Sequence, residues 1–166
     1  MLFANLQSIQ KDAMIQRIQT VYLLITSLAI YALFLFPVAS VFNIVGAKKI
    51  MITGVYQSLG NQLVQTENFL GLTIATAILG LIPIVLIFLY KNRNRQQVLI
   101  YVAVAVVLAY SYWLTQTVQN TNESVLQISD YGIGAGLPSV VILFLILAAK
   151  AVGRDEKLVK SADRLR

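Results

Sequence analysis

The chain has 166 residues, of which 58% are hydrophobic and only 12% charged, with a mean hydropathy of +0.75. So few charges cannot cover a soluble domain, and so apolar a composition excludes a disordered chain. With no Cys and no His, disulfides, thiolate chemistry, haem and the usual zinc or copper sites fall away, and no cofactor is expected.

A helix needs about 20 apolar residues to cross ~30 Å of hydrocarbon. Four segments qualify, at about 20–39, 69–90, 98–114 and 137–152. None carries a charge in its central part, and each is apolar all round, unlike the alternating strand of a barrel. The first is preceded by Lys11 and Arg17, like a signal peptide. Its apolar run exceeds the usual 7–15 residues, so a retained anchor is expected. Either Met1 or Met14 can be the native start, since the residues before Met14 read as a polar extension.

Segments 40–68 and 115–134 then form loops on one side of the membrane. In the first, VFNIV and KIMITGVYQ flank Gly46-Ala47-Lys48-Lys49, the pattern of a hairpin. In the second, VLQIS is a candidate third strand, and Gly132 to Gly136 precede the last helix. This glycine run lacks the dinucleotide fingerprint, because Leu137 stands where Gly is needed, and it has no P-loop Lys. A flexible lead-in to the fourth helix is the better reading.

Helices two and three carry small residues at four-residue spacing: Gly71/Ala75, Thr73/Ala77, Thr76/Gly80 and Ala105/Ala109. Ala149/Gly153 does the same at the end of the fourth helix. Such pairs let helix backbones approach closely in lipid. Pro83 should kink the second helix and free the carbonyl of Leu79.

Eleven of the 13 Lys and Arg lie in the N-terminus, the 91–96 loop and the tail, against Lys48 and Lys49 on the other side. The positive-inside rule then places both termini in the cytoplasm. This distribution accounts for the net charge of +6 as membrane flanks, so no nucleic-acid partner is expected. The tail over 153–166 reads as a short amphipathic helix, with Leu158, Ala162 and Leu165 on one face. Glu156 stands four residues before Lys160, the favourable order for a helical ion pair.

MIQRIQTVYLL at Met14–Leu24 and DEKLVKSADRLR at Asp155–Arg166 resemble the opening and closing signatures of a known family. It is an uncharacterised family of four-helix integral membrane proteins, a domain of unknown function from one group of bacteria with a double-membrane envelope. The resemblance implies an inner-membrane location and supplies no catalytic residue or activity. It marks Gln16, Arg17, Asp155, Leu158, Ser161, Ala162, Asp163 and Arg164 as matching positions; all of these but Ala162, together with Glu156 and Lys160, form a candidate cytoplasmic partner interface.

The fold expected is all-α: a four-helix transmembrane bundle in one domain, both termini cytoplasmic, with room for a small β-hairpin cap outside. The function expected is that of a non-enzymatic accessory or scaffold subunit of a bacterial inner-membrane complex. Its partners would be the lipid bilayer and either a membrane protein or further copies of itself. The alternative is a small oligomeric transporter or channel for neutral or lipidic solutes, with a cavity lined by Thr73, Thr76, Ser111 and the Pro83 region. An enzyme would need Glu67, Glu123 and Asp130 to converge, and no motif joins them.

Overall fold

The computed structural model describes residues 18–43, 46–59, 62–89, 92–121 and 127–163, with backbone alone at 43, 59, 62, 63 and 155–163. Helix α1 covers Ile18–Ala32. Four strands follow, β1 (Ala39–Asn43), β2 (Gly46–Met51), β3 (Gly54–Leu59) and β4 (Gln62–Asn68). Then come α2 (Leu70–Phe88), α3 (Arg93–Asn120), a 3-10 turn at Ile128–Asp130, and α4 (Ile133–Asp163).

The all-α expectation is corrected by the strands, which form one antiparallel sheet in the order β1-β2-β3-β4. The hairpin over Gly46–Leu59 closes through Ile52 and Thr53, with Met51 opposite Gly54. Gly54 has φ +150°, and any Cβ there would strike the Glu67 carbonyl. That crowding and the positive φ make glycine a requirement of the turn. Ile50, Ile52 and Val55 are buried, as are Val38 and Ala39, so one part of the sheet extends the core over the helix ends.

Strand β4 was unexpected because QLVQTEN shows no apolar alternation. An edge strand exposed along Val64–Asn68 has no need of one. The second loop adds no strand among the described residues: Ile128–Asp130 is the 3-10 turn, and Tyr131 makes one isolated bridge to Ala39.

Backbone bonds tie the sheet to the helices. Phe69 N–H donates to Thr53 O at 3.1 Å, Gly132 N–H to Val38 O at 2.9 Å, and Gly134 N–H to Pro37 O at 3.0 Å. A Cβ at Gly134 would lie 2.7 Å from the Pro37 carbonyl oxygen. At Gly132 and Gly134 the run is thus a close backbone passage rather than a flexible lead-in, while Gly136 has open space around it. Lys48 Nζ donates to Thr121 O at 2.9 Å, holding β2 against the C-terminus of α3. That placement also complements the negative end of the helix dipole.

Helices α2 and α3, and α4 over Ile133–Arg154, are each long and apolar enough to cross a membrane. Only 33%, 28% and 33% of their respective apolar windows are buried, so most of this apolar surface faces outward. Helix α1 has 15 described residues and ends at Ala32, where Leu33–Leu35 turn the chain towards β1. All four helices contribute to one apolar cluster, including Leu23, Leu79, Val107 and Leu145. Consecutive helices run in opposite directions, which gathers the sheet at one end and Arg93, Arg95, Lys150 and Arg154 at the other.

Candidate functional site

Polar groups inside the helices decide what the interior can do, because a buried hydroxyl or amide needs a partner. Thr76 is fully buried; its Oγ1 donates to Leu72 O at 2.7 Å and meets the Tyr110 hydroxyl, joining α2 to α3. With its own proton committed to Leu72, Thr76 accepts from Tyr110. One turn along, Ser27 Oγ of α1 donates to Gly80 O at 2.8 Å. Pro83 removes the donor that would bind Leu79 O, and strain at a proline extends to the neighbouring turn. The Ser27 bond therefore supports a carbonyl beside the disrupted step.

Gly80 also faces the Tyr31 ring, where a Cβ would lie 2.6 Å from Cζ. At the basic end, the buried Gln96 donates from Nε2 to Leu86 O at 2.9 Å. Its Oε1 has no partner among the described residues. Gly153 of α4 sits against the Gln97 amide.

Among the described residues, Thr73, Thr76 and Pro83 do not join Ser111 in the crevice it lines. Thr73 donates towards Phe69 O at 2.9 Å and Ile52 O at 3.3 Å, Thr76 is bonded to Tyr110, and Pro83 is buried. Ser111 lies elsewhere, in a lateral crevice of about 250 Å³ between α3 and α4 beneath the sheet. The acidic residues do not converge either. Glu67 is on β4, at one sheet edge, whereas Asp130 adjoins Tyr131 at the β1 edge. Three strand spacings separate those edges, about 14 Å. The Asp130 carboxylate accepts from Gln127 N–H at 2.8 Å, closing its own turn. Glu123 lies outside the described residues.

Among the small-residue pairs, Thr76/Gly80 and Ala149/Gly153 pack inside, whereas Gly71, beside Trp113, and Ala77 are exposed. Thr76 and Gly80 face Tyr110 and Tyr31, and Ala149 is fully buried one turn from Gly153. Ala105 and Ala109 differ: both are exposed on the outer side of α3, among exposed Tyr101, Val102, Leu108 and Tyr112. Of the expected partner residues, Gln16, Arg17 and Arg164 lie outside the described residues. Asp155, Glu156, Leu158, Lys160, Ser161 and Asp163 continue α4, with side chains likewise outside the description.

The residues missed from sequence are Ser27, Tyr31, Tyr110 and Gln96. For Ser27, Tyr31 and Tyr110 the signal was a polar atom in an apolar run, which must find a partner in lipid; Gln96, directly after Arg95, carried no such signal. Which partner such an atom finds depends on helix rotation.

A family model described as a domain of unknown function (DUF4293) matches residues 15–165. The chain belongs to this family. A search of curated proteins returned no match. Membership of the DUF4293 family covers all four helices and the sheet, so the polar contacts and the bare Ala105/Ala109 face all lie within the matched region.

Proposed function

We propose that this member of the DUF4293 family is a non-enzymatic scaffold or accessory subunit of a bacterial inner-membrane complex. The observation that carries the reading is the exposed Ala105/Ala109 face of α3. Small residues permit close backbone approach, and at Thr76/Gly80 and Ala149/Gly153 that approach is already used within the chain. The bonded interior supports the same reading, since Thr73, Thr76 and Gly80 are committed to internal partners.

Lipid is the solvent that the outward faces require. Ile74, Ile78, Leu81, Val85 and Phe88 are all more than half exposed on α2 alone. Leaving them in water would forgo on the order of 1–2 kcal/mol each. That sum is comparable with the whole net stability of a domain, about 5–15 kcal/mol. The basic residues at the end opposite the sheet favour a cytoplasmic location for that end and for both termini. There α4 runs nine residues beyond Arg154, about 13 Å, presenting Asp155 to Asp163 to a cytoplasmic partner. Arg17 is the natural cation for those carboxylates.

The chain has no cysteine, so single-cysteine cross-linking in native membranes is clean. Ala105→Cys and Ala109→Cys should give a product with a defined companion protein, whereas Ile78→Cys on α2 should not. Equal, scattered products at all three positions would refute the scaffold reading. A product of two copies of this chain alone would favour a homo-oligomeric transporter instead.

A further inference from the structure

The lateral crevice between α3 and α4 has a polarity that changes along its length. Its floor is apolar, formed by the buried Val38, Leu114 and Val118. Four hydroxyl-bearing residues border it: Ser111, Thr115, Tyr131 and Ser139. Ser111 Oγ donates to Leu108 O at 2.8 Å and Thr115 Oγ1 to Ser111 O at 2.9 Å. Both protons are spent, so these two oxygens are left as acceptors. The Ser139 and Tyr131 hydroxyls have no partner among the described residues and are available as donors.

Towards the middle of α4 the lining becomes hydrocarbon at Ile142, and the exposed Ile146 stands one turn further along the same helix. In the other direction, Thr121 lies one turn beyond Val118, about 4.5 Å along the axis. There the Lys48 ammonium is held 2.9 Å from Thr121 O. That bond uses one of its three donors.

A cation, then hydroxyls, then an apolar track is the order of a phosphate, a glycerol ester region and an acyl chain. At about 250 Å³ the crevice is below the ~300–1,000 Å³ usual for a whole small-molecule ligand. It suits the ester region of a molecule whose chain lies along the groove. We propose that this crevice is a binding site for one glycerophospholipid, anchored by Lys48 and seated on Ser111, Thr115, Tyr131 and Ser139. The proposal rests on the membrane reading above.

Native mass spectrometry of the full chain in mild detergent tests it, with phosphatidylglycerol or diacylglycerol of the same chains added. The wild type should hold one phosphatidylglycerol and bind diacylglycerol more weakly. Ser139→Trp fills the crevice and should weaken phosphatidylglycerol binding about tenfold or more. Ile78→Trp, on an exposed face of α2, should leave it unchanged. Lys48→Ala should remove the preference for phosphatidylglycerol over diacylglycerol.

Should Ser139→Trp fail to fold, Thr115→Val combined with Ser139→Ala removes two hydroxyls at little change in volume and should still weaken binding several-fold. The site is overturned if Ser139→Trp, or the double variant in its place, binds as Ile78→Trp does, or if wild type binds both lipids equally. A chain that stays monodisperse without detergent would instead overturn the membrane reading, which separates the two failures.

Discussion

Thr76/Gly80 on α2 and Ala105/Ala109 on α3 show the same sequence pattern in two different settings. The α2 pair is buried, with Tyr110 against Thr76 and Tyr31 against Gly80. The α3 pair is exposed on the outward side of its helix. Small residues at four-residue spacing therefore mark where a helix can approach, without saying whether the approaching helix is internal. The rotation of each helix decides that, and rotation follows from the rest of its surface. In α3, Ile100, Ala103, Val107, Tyr110 and Leu114 form the buried stripe, so Ala105 lies opposite it.

The largest break between the two pairs should come from adding volume. Gly80→Leu drives a side chain into the Tyr31 ring and should destabilise the protein by about 3 kcal/mol, the upper range for overpacking. Thermal unfolding in detergent reads the loss. Tyr110→Phe comes next, because it removes the bond to Thr76 but leaves Thr76 donating to Leu72. Its cost should be about 1 kcal/mol, near the top for bonds between membrane helices.

Ser27→Ala should cost about 0.6 kcal/mol, since Gly80 O loses a supporting donor but stays within its own helix. It sharpens the comparison when combined with Pro83→Ala: restoring the α2 ladder should reduce the effect of losing Ser27. A double-mutant cycle measures that coupling. Ala109→Leu should change stability by less than about 0.5 kcal/mol, as expected of an exposed site, while abolishing cross-linking through Ala105→Cys. Equal destabilisation by Gly80→Leu and Ala109→Leu would erase the distinction between the faces.

Much of the helical framework is legible from sequence because lipid demands long apolar runs, and α2, α3 and α4 supply them. The sheet was only half legible. VFNIV and KIMITGVYQ betray β1 to β3 through β-branched residues, but Gln62–Asn68 carries no pattern, since an exposed edge strand has little to bury. The glycines at 132–136 announce something close-packed or flexible without saying which; the Pro37 carbonyl decides it for Gly132 and Gly134. Polar pairing was the least visible feature. Thr76 and Tyr110 lie 34 residues apart, and their contact follows from two independent helix rotations.

The membrane orientation underlies the account, and site-directed labelling tests it most directly. Single cysteines replace Lys49, exposed on the sheet, and Arg154, exposed at the opposite end of α4. Intact inner-membrane spheroplasts are then treated with a maleimide reagent that cannot cross lipid. Lys49→Cys should label at once, and Arg154→Cys only after the membrane is opened. Labelling of both positions in intact spheroplasts, or of Arg154→Cys alone, would contradict the account.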